Sequence, residues 1–346
     1  MPDLSIEIGT LRLRNPVMLA SGTVGYGSEY EALIDFASVG AVVLKTITME
    51  PWEGNPPPRL RETEAGLLNA IGLENVGLSE FIAGKLPESA KIPAPLVASA
   101  GGRDAGEFAE LTRELASRDE IAAVELNISC PNVRRARVPL WADPGRVAET
   151  VAAARVETDK PIFVKLSPKV ADVVSVAEAA ERAGADALVV ANTLTGMRID
   201  VERRAPALGN VTGGLSGPAL LPVNLALVWT VSAAVSLPVI GCGGISAASH
   251  VLEYMMAGAT AVQVGTALFA DPSTPARLAS GLAGRMSEDG FDSVARYVGL
   301  ARRDGGRGGR DAVVADAGAA GTPVTSVDSA GMSATRVDPT ETLKES

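Results

Sequence analysis

Three side chains in this sequence could hold or move charge at one place. Cys130 lies in "ELNISCPNV" (125–133), Lys45 follows the apolar run "AVVL" (41–44), and Lys165 follows "PIFV" (161–164). A buried cysteine usually sits inside an apolar segment as a small hydrophobe. Cys130 instead follows the polar Asn127 and Ser129 and precedes Pro131, where a strand or helix must end. A thiol with an ordinary pKa of about 8.5 can accept a proton once nearby lysines favour its thiolate. The one histidine, His250, falls in a helical pattern away from these residues, so it does not compete for the role of base. Cys242, inside "VIGCGG", is expected to be a packed small residue. The chemistry on offer is proton abstraction by a thiolate beside two cations.

Glycine clusters narrow the ligand. "GGLSG" (213–217), "GCGGIS" (241–246) and "VGT" (264–266) bracket the last two apolar runs. Glycine lets backbone N–H groups approach a ligand closely, and such groups next to a helix N-terminus suit a phosphate. Phosphate alone does not separate a sugar phosphate from a flavin nucleotide.

These residues need elements to position them. Eight apolar runs, at 17–20, 41–44, 95–98, 121–126, 161–164, 186–191, 238–240 and 260–264, alternate with helical patterns at 28–38, 104–118, 144–158, 172–183, 219–235 and 247–257. Asp143 before Pro144, and Ser246 before an Ala-rich turn, are helix start signals. Near-continuous apolar strands joined by helices call for a covered parallel sheet. Eight of them in a chain of this length predict an α/β fold with a single (β/α)8 TIM barrel over residues 1–302, with a doubly wound open sheet as the alternative. In such a barrel ligands bind where the strands end, which here means Ala20-Ser21, Lys45-Thr46, Ser99, Asn127, Lys165, Asn192-Thr193, Gly241 to Gly244 and Gly265-Thr266. Residues 4–14 read as an N-terminal β-hairpin closing the barrel floor. The connection 51–94 is too long for a simple barrel loop and is expected to carry function. Residues 303–346 hold no aromatic, no isoleucine and one leucine, and read as a disordered C-terminal tail.

Composition excludes several classes. A formal charge of −10 argues against nucleic acid or an anionic membrane as partner. Two cysteines cannot build a disulfide framework, nor ligate an iron–sulfur cluster alone. No metal site is expected. The N-terminus lacks the basic and apolar regions of a signal peptide. The longest apolar stretch, 225–241, is broken by Thr230, Ser232, Ser236 and Pro238, so it reads as helix then strand rather than a membrane span. A cytoplasmic protein is the expectation.

"NISCPN" (127–132), "NPPPR" (55–59), "LLNAIGLEN" (67–75), "VKLSP" (164–168), "ANTLTG" (191–196), "TGGLSGPA" (212–219) and "VGTALF" (264–269) together resemble the dihydroorotate dehydrogenase family over about residues 4–300. The likeness is greatest to class 1B catalytic subunits, flavoproteins of pyrimidine biosynthesis that oxidise dihydroorotate to orotate with FMN. The resemblance implies FMN contacts from Ser21, Lys45, Thr46, Ser99, Asn127, Lys165, Ala191, Gly217, Gly243, Gly244, Gly265 and Thr266. It implies substrate contacts from Lys45, Asn69, Ala70, Ile71, Gly72, Leu73, Asn127, Asn192 and Thr193, with Cys130 as the base. It also implies a partner subunit carrying FAD and a [2Fe–2S] cluster, and a homodimer within a heterotetramer.

Three features depart from the pattern. Ser99 stands where relatives usually have asparagine, "RRARVPLWAD" (134–143) lacks the glycines of the family's mobile loop, and the tail has no family counterpart. The alternatives are a fumarate-dependent class 1A enzyme, a dihydropyrimidine dehydrogenase-type FMN barrel, and a catalytically impaired flavin-binding scaffold.

Overall fold

Strands buried on both faces leave apolar runs in a sequence, and those runs are where the strands form. The computed structural model describes residues 2–129 and 139–302. Along the chain the first strands are β1 (Ile6–Ile8), β2 (Leu11–Leu13), β3 (Val17–Leu19), β4 (Ala41–Val43), β5 (Leu60–Thr63), β6 (Gly66–Asn69), β7 (Leu96–Ala100) and β8 (Ile121–Leu126). They are followed by β9 (Ile162–Lys165), β10 (Ala187–Val190), β11 (Leu194–Gly196), β12 (Ile199–Asp200), β13 (Ala205–Pro206), β14 (Gly213–Ser216), β15 (Val239–Cys242) and β16 (Ala261–Val264). Eight of these, β3, β4, β7, β8, β9, β10, β15 and β16, close a barrel in chain order. Every pairing around it is parallel. The TIM barrel is therefore present, and the open-sheet alternative is excluded.

Helices α1 (Gly77–Glu80) and α2 (Leu86–Ser89) belong to the long 51–94 connection and are joined by a π turn at Phe81–Lys85. The outer helices are α3 (Ala105–Ala116), α4 (Pro144–Arg155), α5 (Val173–Arg182), α6 (Leu221–Ala234) and α7 (Ala248–Met256), with α8 (Ala267–Ala270) and α9 (Thr274–Asp289) after the last strand. Side-chain caps start three of them: Asp104 accepts from Glu107 N, Asp143 from Gly145 N and Arg146 N, and Asp172 from Val174 N and Ser175 N. The Asp143 signal is borne out. The Ser246 signal is not, because α7 begins after Ala247 with no side-chain cap. There Ser246 N donates to His250 Nδ1 at 3.3 Å, which gives the histidine a local structural task on the helix where it was expected. The helix expected at 28–38 is instead two 3-10 turns, Ser28–Tyr30 and Phe36–Ser38. Asp35 caps the second turn through Ala37 N, so the chain restarts there rather than running on.

The β1–β2 hairpin pairs Ile6 with Leu13 and Ile8 with Leu11 about Gly9. A Cβ at Gly9 would lie 3.4 Å from Asp186 and Pro161, residues just before β10 and β9. The hairpin thus sits under the N-terminal ends of the strands, at the floor. At the opposite end, β5, β6, β11 and β14 form an antiparallel sheet in the order β11-β14-β6-β5. This sheet joins the 51–94 connection to the segment after β10. Tyr26 stacks beside Phe81 at 5.8 Å and its carbonyl accepts from Ser89 Oγ at 2.6 Å, pinning the connection to the barrel. Among the described residues no helix is long and apolar enough to cross a membrane.

Candidate active site

Lys165, the last residue of β9, is only 5% exposed. Its Nζ donates to Gln263 Oε1 at 3.2 Å and lies 3.8 Å from Glu125 Oε1. Gln263 Nε2 donates to Glu125 Oε2 at 2.6 Å. A lysine can only donate and a carboxylate can only accept, so the two neighbours fix the amide's orientation. Burial works to lower the Lys165 pKa, but the Glu125 charge, with a contribution from Cys242, holds it above the ordinary lysine value. Burial pushes the Cys242 thiol up, opposed by Lys165, in keeping with a packed rather than reactive cysteine. Glu125 and Gln263 were not among the residues expected from the sequence. The signal was an acidic residue within "IAAVEL" and an amide within "TAVQV", each interrupting a run that is otherwise apolar.

Above the buried cluster, hydroxyl and amide side chains form a connected line across the strand ends. Ser21 Oγ donates to Leu44 O at 2.8 Å and lies 3.4 Å from Thr46 Oγ1. Thr46 Oγ1 is 2.8 Å from Ser99 Oγ and accepts from Asn127 Nδ2 at 3.2 Å. Ser129 Oγ donates to Asn127 Oδ1 at 2.7 Å and accepts from Asn192 Nδ2. Thr193 N donates to Asn192 Oδ1 at 2.8 Å. The line brings together Ser21, Thr46, Ser99, Asn127, Asn192 and Thr193, all anticipated from the sequence, and adds Ser129 as a bridge. Ala191 sits beside it, donating its backbone N–H to Cys242 O at 3.3 Å. Ser99 is fully buried, so its hydroxyl serves Thr46 from below.

The glycine segments meet at the next part of the mouth. Thr266 Oγ1 donates to Ser216 Oγ at 2.8 Å, tying the "GGLSG" segment to the end of β16. Gly217, Gly243 and Gly244 all have positive φ, a region that favours glycine. A Cβ on Gly244 would come 2.5 Å from Leu221 N at the start of α6, and one on Gly217 would come 2.6 Å from Gly66 Cα. The backbone N–H groups of Gly243, Gly244, Gly265 and Thr266 donate to no protein acceptor among the described residues, and all four residues are half-buried. Amides of this kind suit a phosphate.

Asn69 ends β6 opposite Gly214 and donates Nδ2 to Gly214 O at 3.2 Å. The same glycine abuts Thr193: a Cβ there would lie 2.2 Å from Thr193 Oγ1 and 3.3 Å from Asn69 Nδ2. The antiparallel sheet therefore carries Asn69 to the strand-end residues. The following segment, Ala70 to Leu73, is held by Asn55, whose N donates to Ile71 O at 3.0 Å and whose Nδ2 donates to Ala70 O at 3.1 Å. Gly72 and Leu73 both take positive φ to complete the turn. Lys45 is half-buried, and burial lowers its pKa against the opposing pull of Glu74 and Glu29. It stands toward the 51–94 connection, whereas Lys165 lies within the barrel. Cys130 lies outside the described residues, directly after Ser129. Among the described residues no cluster of His, Cys, Asp or Glu could hold a metal ion.

A barrel mouth with a buried cation, a row of amides and a half-buried amide cradle agrees with the sequence relationships. The dihydroorotate dehydrogenase family model matches residues 3–286. A protein of Trichlorobacter lovleyi named "Dihydroorotate dehydrogenase B (NAD(+)), catalytic subunit" is 51% identical over 298 residues, covering 86% of this chain and 98% of its own. Proteins of the same name from Geotalea daltonii and Geobacter sulfurreducens are 49% and 48% identical over the same shares. On this evidence the chain belongs to the dihydroorotate dehydrogenase family.

Proposed function

We propose that this chain oxidises dihydroorotate to orotate in pyrimidine biosynthesis with bound FMN, and passes the electrons to NAD through a partner subunit. The observation that carries this reading is the connected line Ser21–Thr46–Asn127–Ser129–Asn192 over the buried Lys165. The residues present fit FMN. The free amides of Gly243, Gly244, Gly265 and Thr266 would hold its phosphate, and Ser21, Lys45, Thr46, Asn127, Lys165, Ala191 and Gly217 would lie along the rest, with the fully buried Ser99 holding Thr46 from behind rather than touching the flavin.

Bound FMN supplies the two-electron acceptor for the substrate hydride. With FMN bound, the Lys165 ammonium would offset negative charge on the ring system. Asn69, Asn127 and Asn192 supply paired donors and acceptors for the substrate's ring amides, and Thr193 and the 70–73 turn border them. Lys45, half-buried and cationic, suits the substrate carboxylate. Cys130, assigned as base by the family resemblance, would take the proton on its Sγ. Two electrons and two hydrogens leave the substrate, one hydrogen as hydride and one as a proton on sulfur.

Anaerobic mixing of the FMN-loaded chain with dihydroorotate tests this reading. Rapid bleaching of the flavin band is expected, with dihydrouracil inert under the same conditions. Bleaching by dihydrouracil alone would move the protein to the dihydropyrimidine-oxidising class.

A further inference from the structure

Glu125, Lys165 and Gln263 come from three strands, β8, β9 and β16, and meet inside the barrel. Glu125 is fully buried and Gln263 is 1% exposed. Burying an ion pair is a poor way to add stability, because desolvation cancels much of the attraction and apolar residues of similar volume pack as well or better. The neighbouring positions on all three strands are apolar, so the barrel could have been filled that way. Glu125 Oε1 also has no hydrogen-bond partner and faces only the Lys165 ammonium, 3.8 Å away. The arrangement is directed at the lysine. Gln263 bridges the pair from the side, with each amide atom committed to one partner.

We infer that Glu125 is a positioning residue for Lys165, with Gln263 as its strut, and that together they keep the ammonium charged and aimed at the flavin ring. The inference rests on the reading that Lys165 lies beside bound FMN. Two titratable groups face Lys165 from the barrel wall, Glu125 on β8 and the Cys242 thiol on β15. Strands β3, β4, β7 and β10 carry no titratable side chain, and Lys45 lies beyond the end of β4. With Glu125 replaced by a neutral side chain, burial would be opposed only by the weaker pull of Cys242, and burial favours the uncharged amine. Without that cation, the charge that accumulates on reduction loses its nearest counter-charge.

The test is the reduction potential of FMN in the loaded enzyme, measured by dye equilibration between about pH 6 and 10, the range below the ordinary lysine pKa. The wild-type potential should follow one smooth line. Glu125→Gln should give a line that meets or exceeds it at low pH, then bends below it as Lys165 loses its proton. Flavin reduction by dihydroorotate should slow on the order of 10²-fold above the bend. Glu125→Asp should restore the wild-type line, and Glu125→Gln with Lys165→Met should abolish the bend. A Glu125→Gln line parallel to wild type across the range would overturn the inference.

Lys165→Met separates this from the reading beneath it. A wild-type potential in that variant would remove Lys165 from the flavin altogether. A shifted potential there, with Glu125→Gln still parallel to wild type, would remove Glu125 alone. Should Glu125→Gln fail to retain FMN, Gln263→Leu keeps the ion pair and removes the strut. With Glu125 in place the lysine stays charged, so the potential should run parallel to wild type but be displaced below it as the ammonium loses its aim; a potential equal to wild type across the range would overturn the inference.

Discussion

A buried cation needs a partner, and Lys165 on β9 finds one on the neighbouring strand β8 and another across the barrel on β16. Lys165 has Glu125 and Gln263 below it, while Cys130 follows Ser129, whose hydroxyl is already committed to Asn127 and Asn192. Cys130→Ser should keep FMN and slow flavin reduction by roughly 10²–10⁴-fold, because a serine hydroxyl is a far weaker acid and supplies little oxyanion near neutral pH. In the wild-type enzyme the reductive step should quicken as pH rises through the thiol pKa, since the deprotonated form is the base. Stopped-flow traces at several pH values check both, and a serine variant as fast as wild type would take the base role from Cys130. Most site residues were legible because strand ends in a barrel converge, so Ser21, Thr46, Asn127 and Asn192 could be read off the ends of apolar runs. Glu125 and Gln263 were not legible that way. They lie before the strand ends, where a polar residue reads as an interruption until the opposite wall is known.

Elements explain what strand ends alone do not. The eight barrel strands were readable because both of their faces are buried. The antiparallel sheet of β5, β6, β11 and β14 was not, because β6, β11 and β14 each carry glycine and β6 pairs with β14 far away in sequence, as Asn69 does with Gly214. Gly214 lies at the junction, against Thr193 and Asn69 together. Gly214→Ala should raise the KM for dihydroorotate about tenfold or more while FMN content stays at wild type, because one methyl displaces Thr193 and Asn69, the two residues proposed to border the substrate. An unchanged KM would separate this sheet from substrate binding. The end of α9 is tied down separately. Buried Tyr297 donates to Asp289 Oδ2 at 2.6 Å, and Arg285 Nε donates to the same oxygen at 2.8 Å. Burial would raise the Asp289 pKa, but the hydrogen bonds from Arg285 and Tyr297 outweigh it and hold it below the usual carboxylate value. Tyr297→Phe should cost about 1.5 kcal/mol, the low end for a bond to a charged acceptor, because Arg285 still donates to the same oxygen. A depressed carboxylate adds stability above its unfolded pKa and loses it as pH falls through the lower folded value. The gap between wild type and Tyr297→Phe in denaturant midpoint should therefore narrow below about pH 4. A gap constant with pH would mean that the bond owes nothing to the charge.

At the scale of the whole molecule, the barrel over 1–302 is proposed to be self-sufficient, and residues 303–346, poor in core-forming side chains, to add little to its stability. Deleting 303–346 should leave the melting temperature within a few degrees of the full chain, as expected when no core packing is lost; a drop well beyond that would place packing energy in the tail. Electron flow makes the stronger claim on the whole assembly. No Gly-x-Gly-x-x-Gly turn follows a strand in this sequence, so it carries no dinucleotide fingerprint. Its two cysteines cannot hold an iron–sulfur cluster as a relay. On the proposed reading, electrons that reach FMN would leave to an acceptor that these residues do not themselves provide. The relatives at 48–51% identity are named as NAD(+)-type catalytic subunits, which supports a second subunit as the receiver rather than fumarate entering the same mouth. The purified chain should bleach its FMN once with dihydroorotate and then stall in NAD, with turnover restored by a subunit carrying FAD and a [2Fe–2S] cluster. NADH formation by the isolated chain at the restored rate would sink this division of labour, and sustained turnover with fumarate would assign the chain to the other class.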